Sequence, residues 1–385
     1  MVGRKILPAT STLDLTRDPA GRVLKPGFTK AYEYTDCWVQ DARLVALNAR
    51  DAAQRGATIL TGTKATEAHR EGDLWRIVTE SATGQTTHHA RALVNAAGPW
   101  VTGVLRGTIH VPSREGARLV RGSHIVTRKL YDHDRCYFFQ GADGRIIFAI
   151  PYEGDVTLIG MTDQDHKGPP EEAAITEAER DYLIAFANRY FKDPISAADI
   201  VWAYSGVRPL YDDGAKSASA TTRDYVLTLD SDGPALLNVF GGKITTCRRL
   251  AEAALAKLSG PLGLAKGPWT AGVPLPGGDF PLAEKPMLIR DLRAAHPFLT
   301  QPQATRLICA YGTDAALILG SAPSSEALGR DFGAGLHEAE VRWLMDKDWA
   351  RRAADVVWRR SKLGLRMTPD QVAALHAWIL AEGRA

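Results

Sequence analysis

Hydrophobic and polar positions alternate with two different periods along the first 260 residues and with one along the rest. From Asp41 to Arg55 the chain reads DARLVALNARDAAQR, with Leu44, Leu47 and Ala52 recurring on one side at helical spacing. Asp41 is placed to cap this helix and Gly56 to end it. ATILTGTKATEAHREGDLWRIVTE predicts a short strand and then a hairpin turning at EGD. TTHHARALVNAAGPW continues with a buried strand, Ala92 to Ala96, that runs into Gly98. Residues 41–105 therefore predict helix, strand, hairpin and strand, one half of an α/β unit.

Residues 115–165 alternate β-forming residues with ADG and EGD turns, which predicts an antiparallel sheet. TEAERDYLIAFANRYF predicts a helix in which Thr176 and Glu179 form a capping box. ADIVWAYSGVRPL returns as a strand, and DYVLTLDSDGPALLNVFGGK predicts a hairpin leading to a glycine turn. TTCRRLAEAALAKL follows at once as a helix. Past the joint GPLGLAKGPWTAGVPLPGGDFPL the segments are helical, with few strand candidates, and predict a separate all-α domain. Residues 1–35 are rich in Pro, Gly and Thr, lack periodicity, and read like the middle of a domain.

Composition narrows the function classes. With 385 residues the chain has room for about two or three domains. A net charge of +3 is too small to indicate nucleic acid as a partner. Cys37, Cys136, Cys247 and Cys309 are scattered without a CxxC pair, which excludes a zinc ribbon and suggests a reducing compartment. No apolar run is long enough to span a membrane, and the first residues lack the apolar core of a signal peptide. Histidines and carboxylates show no metal-ligand spacing, and no GxSxG motif occurs.

The candidate chemistry is cationic. Arg208 and Arg223 stand fifteen residues apart in SGVRPLYDDGAKSASATTRDY, and Lys243 follows in NVFGGKITT. Each alone is readable as solvated surface; together they read as one site for a doubly charged anion, since a guanidinium grips phosphate or carboxylate through two parallel hydrogen bonds. Gly241 and Gly242 lie between a strand and a helix start, where free N–H groups and the helix dipole suit an anion or an electron-rich ring. Thr245 adds a hydroxyl donor there. The glycine spacing is not that of a Walker loop. Ala97 and Gly98, at the carboxyl end of a buried strand, permit close approach of a ligand or simply form a tight turn. His124, in RGSHIV, is either a structural histidine or a base. Gly333-x-Gly335 has no strand before it, and the basic run from Arg351 to Arg366 reads as a solvated face.

The segments YEYTDCWVQDARLV, LVNAAGPWV, RLVRGSHIV, IGMTD, YSGVRPL, TRDY, VFGGKITT and AEVRWLMDKDWARRAADVVWRRSKLGL stand in the order found in FAD-dependent, aerobic-type glycerol-3-phosphate dehydrogenases. The resemblance covers essentially the whole chain. It implies an α/β domain with an antiparallel β cap, a glutathione-reductase/D-amino-acid-oxidase-like FAD fold, followed by the all-α carboxyl-terminal domain. The implied division is a partial cap segment over 1–40, the second half of the FAD-binding domain over 41–112, the cap over 113–215, a return to the FAD-binding domain over 216–260, a linker over 261–279 and the helical domain over 280–385. Family members open with a strand, a GxGxxG-type turn and a helix that hold the FAD pyrophosphate. No such turn opens this sequence, so the fold is expected to be amino-terminally incomplete.

The resemblance further implies oxidation of sn-glycerol 3-phosphate to dihydroxyacetone phosphate, with electrons passed to a membrane quinone. His124 and Arg208 would be catalytic, and Arg208, Arg223 and Lys243 would bind substrate. Ala97, Gly98, Gly241, Gly242, Lys243 and Thr245 would line FAD. Peripheral attachment to the inner face of the cytoplasmic membrane follows, and a homodimer is left open. Two alternatives stand beside this reading: a related flavin oxidase of a small amine or hydroxy acid, and a catalytically silent fragment.

Overall fold

The computed structural model describes residues 7–113, 115–142, 144–212 and 224–383. The chain divides into two compact units, Met1–Cys37 with Gly62–Pro268, and Trp38–Thr61 with Trp269–Ala385.

The first unit starts with an antiparallel ribbon of β1 (Ser11–Asp14) and β2 (Lys30–Glu33). Between β2 and the next strand runs α1 (Asp41–Gln54), which belongs to the second unit. β3 (Lys64–Glu71), β4 (Leu74–Ser81) and β5 (Gly84–Ala90) form a meander whose first turn is the expected EGD, with Gly72 at φ 59°. β6 (Ala92–Asn95) leads into the short helix α2 (Val101–Val104). The expected burial of this strand holds for Asn95, whereas Val94 is 46% exposed.

A six-stranded antiparallel sheet follows, made of β7 (Ala117–Arg128), β8 (Tyr137–Gln140), β9 (Ile146–Tyr152), β10 (Val156–Gly160), β11 (Gln164–Asp165) and β12 (Ile200–Tyr211). β7 is central: β10 and β11 pair with one edge, and β12 runs along it in register from Trp202↔Val126 to Tyr211↔Ala117. Helix α3 (Glu177–Tyr190) packs on the face that carries Ile125, Ile159, Ala149 and Phe139, joining them in one core through Leu183 and Phe186. Directly opposed residues share a face and successive residues alternate, so His124, Gly160, Tyr204 and Arg208 lie on the other face. Thr176 and Glu179 form the expected capping box at the start of α3.

β13 (Val226–Asp230) and β14 (Ala235–Phe240) make the predicted hairpin, and β14 pairs in parallel with β6, Ala235↔Ala92 through Asn238↔Asn95. α4 (Cys247–Leu262) starts seven residues after Phe240, at the exit of the glycine turn. β14 is buried throughout and packs on α4 through Ala235, Leu237 and Leu258.

The second unit is helical, as expected for residues 280–385: α5 (Lys285–Ala295), α6 (Gln301–Tyr311), α7 (Asp314–Leu319), α8 (Glu338–Asp348) and α9 (Pro369–Ala381) enclose one apolar core. Helix α1 belongs with them, not with the α/β half to which the sequence assigned it. Its buried positions also differ from the predicted apolar side. Arg43, Ala46 and Arg50 are buried, while Leu44 and Leu47 are only half-buried. The physical reason is charge pairing. Arg43 Nη1 reaches Asp348 Oδ2 at 2.5 Å and its Nε donates to the Ala310 carbonyl, while its guanidinium lies over Tyr311. Arg50 pairs with Asp314 at 2.8 Å and lies over Trp343. Nor is the basic run wholly a solvated face: Arg360 is partly buried and donates two hydrogen bonds to the Asp348 carbonyl, at 3.1 and 2.8 Å.

Removing one partner of a buried ion pair strands the other in an apolar surround. Asp348→Ala is therefore expected to destabilise the second unit by about 3–5 kcal/mol, seen as an earlier unfolding transition in calorimetry. A loss no larger than the ~1 kcal/mol of an exposed pair would contradict the burial argument.

Candidate active site

Three glycines clear the face of the sheet on which His124 and Arg208 stand. On β7 and β12 the sequences Gly122-x-His124 and Gly206-x-Arg208 repeat with the period of a strand, so each glycine shares a face with the functional side chain two residues on. A methyl group at Gly122 would lie 3.0 Å from Arg208 Nη2, so the guanidinium lies across Gly122. A methyl at Gly160 would lie 2.2 Å from His124 Cδ2, so the imidazole lies over Gly160. Tyr204, the cross-strand partner of His124, stacks on it with ring centroids 4.9 Å apart and planes 9° from parallel.

Arg208 is held from the segment after β10. Its Nη2 donates to the Thr162 carbonyl at 3.3 Å and to the Asp163 carboxylate, and its Nη1 lies 3.4 Å from the Met161 sulfur. Asp165, two residues on, takes both arms of Arg118 at 2.7 Å. Asp163 lies within the IGMTD segment, but sequence reasoning did not single it out as an arginine partner.

The opposite face of the β7–β12 pair is tied down by Glu179. Its carboxylate accepts from Arg121 Nη2 (2.8 Å), Ser123 Oγ (3.1 Å), Thr162 Oγ1 (2.8 Å), and the Thr176 amide and hydroxyl (3.0 and 2.9 Å). Ser123 Oγ in turn lies 2.8 Å from Ser205 Oγ on β12. Burial alone would raise the Glu179 carboxyl, but the bonds from Thr176, Thr162 and Arg121 outweigh it and hold the group below its ordinary value. The capping-box signature revealed the local role of Glu179 and gave no sign of this long-range one.

The paired glycines sit beside the end of β12. Gly241 and Gly242 have φ of 72° and 101°, conformations that favour glycine. A methyl on Gly241 would lie 3.0 Å from the Asp224 carbonyl and 3.7 Å from the Pro209 carbonyl, and one on Gly242 would meet Leu250 Cδ1 at 2.9 Å. This turn thus adjoins Pro209, the residue after Arg208, and Asp224, the residue after Arg223. Arg223 itself lies outside the described residues. Lys243 and Thr245 follow the turn and are exposed, Lys243 immediately before the short turn Ile244–Thr246 that enters α4. Because β6 and β14 are parallel, Ala97 and Gly98 leave the same carboxyl edge as Gly241 and Gly242. The Gly98–Trp100 turn packs against β12, and Trp100 Nε1 donates to Glu171 at 3.0 Å. An apolar cavity of about 1030 Å³ runs along this edge, walled by Leu93, Val94, Ala97 and Val104.

The carboxyl edge of a parallel strand pair, a turn of two glycines and a helix entrance permit the close backbone approach that a dinucleotide needs. The chain matches the model of the FAD dependent oxidoreductase family over residues 3–248 and that of the C-terminal domain of alpha-glycerophosphate oxidase over residues 268–380. It belongs to that FAD-dependent oxidoreductase family, with the oxidase-type helical domain appended.

Relatives in the family include two dehydrogenases named for phosphorylated polyols. It is 46% identical to D-erythritol 1-phosphate dehydrogenase of Brucella abortus, covering 98% of this chain and 76% of that protein. It is 44% identical to aerobic glycerol-3-phosphate dehydrogenase of Escherichia coli, covering 98% of this chain and 75% of that protein. The glycerol-3-phosphate dehydrogenase from Bacillus halodurans, solved with FAD, shares the fold at a TM-score of 0.76 and 22% identity, over 97% of this chain and 74% of that one. Among the described residues no helix is long and apolar enough to cross a membrane, and no cluster of His, Cys, Asp and Glu is placed to hold a metal ion.

A carboxyl whose folded pKa is depressed stabilises the fold above its unfolded value, and the contribution is lost as pH falls through the folded one. For Glu179 that window opens below the ordinary value of 4.5. Glu179→Gln is expected to melt at a lower temperature than the parent at about pH 7, with the difference shrinking below about pH 4.5. A difference constant down to about pH 3 would show that the ionised carboxylate is not the stabilising form.

Proposed function

We propose that the chain oxidises sn-glycerol 3-phosphate to dihydroxyacetone phosphate with FAD as its cofactor. The observation that carries this reading is the placement of His124 and Arg208 on one glycine-cleared face of the sheet, with the Gly241–Gly242 turn adjoining Pro209 of the strand that carries Arg208. A phosphate monoester carries about −1.5 to −2 charge near neutrality, which several cations offset better than one arginine fork. Arg223 and Lys243 hold the phosphate in this reading. A carboxylate substrate of an amine or hydroxy-acid oxidase needs only one fork, so the cation count favours the phosphate.

His124 takes the proton of the C2 hydroxyl as the C2–H bond breaks with its electron pair, leaving a carbonyl at C2. Arg208 faces the oxygen on which negative charge develops and stabilises it. Bound FAD supplies the two-electron acceptor for the departing hydride. Gly241, Gly242, Lys243 and Thr245 line its ring, with Ala97 and Gly98 on the nucleotide side. Electrons pass on to a membrane quinone, and the protein attaches peripherally to the inner face of the cytoplasmic membrane.

A second substrate has a specific observation behind it. The relative at 46% identity acts, by its name, on D-erythritol 1-phosphate, which differs by one hydroxymethylene unit. Both substrates present a phosphate and a secondary alcohol, so the same residues serve either. Turnover of the flavin-loaded chain with glycerol 3-phosphate, erythritol 1-phosphate and glycine separates the readings. Activity on a phosphorylated polyol and none on glycine is expected; preference for glycine would overturn the proposal.

Arg223→Ala tests the phosphate grip. A lost charge-assisted hydrogen bond of about 1.5–3 kcal/mol corresponds to a rise of roughly 10- to 150-fold in the half-saturating concentration of glycerol 3-phosphate. Flavin content is expected to stay unchanged. Equal loss of flavin and of substrate affinity would place Arg223 elsewhere.

A further inference from the structure

The proposed proton acceptor is gripped on two sides by residues with no assigned role. We propose that Tyr204 and Gly160 are positioning residues that fix the His124 imidazole for proton removal, an inference that rests on the reading of His124 as the acceptor. The register of the sheet supplies the arrangement. His124, on central strand β7, is the direct partner of Gly160 on β10 and of Tyr204 on β12. On the β10 side, a methyl at position 160 would fall 2.2 Å from Cδ2 and 2.7 Å from Cγ of the imidazole, so the space taken by the ring exists only because this residue is glycine. On the β12 side, the phenol ring lies nearly parallel to the imidazole at 4.9 Å. Trp202 backs Tyr204 in turn, at 4.9 Å and 29°. The result is a three-ring stack, Trp202–Tyr204–His124, ending at the face where Arg208 lies over Gly122.

The chemistry explains why such a grip matters. A base works only within hydrogen-bond reach and alignment of the proton it takes, and rotation of an imidazole about its two side-chain torsions destroys both. A flat neighbour on one flank and a missing side chain on the other leave the ring one plane to occupy. The flat ring, not the phenol hydroxyl, supplies the constraint. Beneath the sheet, the Ser123–Ser205 contact and Glu179 fix the two strands against each other, which transmits the register to the rings above.

The test compares Tyr204→Phe, Tyr204→Leu and Gly160→Ala with His124→Ala in the full chain loaded with FAD. Two readouts are taken: steady-state kinetics with glycerol 3-phosphate, and the NMR shift of the His124 ring protons, which a stacked phenol ring displaces upfield. Tyr204→Phe is expected to match the parent in both. Tyr204→Leu is expected to abolish the upfield displacement and to lower kcat by about tenfold or more, with KM within about twofold. Gly160→Ala keeps the aromatic stack partner but forces the ring to move, so its kcat falls and its ring shift changes. It serves as the second probe should Tyr204→Leu fold poorly. The proposal is overturned if Tyr204→Leu or Gly160→Ala shifts the His124 resonances while kcat stays within about twofold of the parent. It is equally overturned if Tyr204→Phe loses as much as Tyr204→Leu. Retention of kcat by His124→Ala would instead refute the reading of His124 as acceptor, and the ring shifts would still report on the stack.

Discussion

The pairing of β7 with β12 is the constraint on which the candidate site depends. The two strands run together over almost their full lengths, and the alternation of side chains leaves no tolerance in their register. A slip of one residue would turn Arg208 onto the face now packed by α3 and leave Val207 or Pro209 beside Gly122. Placing His124 and Arg208 on one surface therefore requires both strands, although neither side chain touches the hydrogen bonds that align them. The alignment is secured from below. Glu179 ties Arg121 and Ser123 of β7 to Thr162 and the start of α3, and Ser123 meets Ser205 of β12. One buried carboxylate thus serves as a helix cap and as the fastener of the sheet.

The second unit solves a different problem with the same chemistry. Its core is apolar, yet α1 joins it through two arginines. Each guanidinium faces a carboxylate and lies over an aromatic ring, which offsets part of the cost of taking its charge out of water. The aliphatic stems of Arg43 and Arg50 do the covering that leucines would do in an ordinary amphipathic helix.

This arrangement explains where the sequence could and could not be read. Strand alternation, the EGD turn, the Thr176–Glu179 box and the helical character after residue 280 were legible because each is written locally. The packing of α1 was not, since a pattern of apolar residues points to Leu44 and Leu47 while the buried side carries charge. Its separation from the strands that follow was equally hidden, because adjacency in the chain says nothing of which core a helix joins. Among the candidate residues, the turn at Gly241 and Gly242 was readable from local context, whereas His124 and Arg208, expected at the end of a strand or beyond it, lie within β7 and β12. Asp163, Tyr204 and the second role of Glu179 depend on partners 45, 80 and 56–58 residues away, respectively. The recurrence of Gly-x-His and Gly-x-Arg was a signal available all along, as two small residues placed on the faces of two functional ones.

The Asp163–Arg208 contact carries a consequence of its own. The guanidinium that would meet substrate already has a negative neighbour on the same chain, so an incoming ion enters a rivalry with a tethered carboxylate. What such an ion gains is therefore only its advantage over that carboxylate, and the advantage grows with its charge.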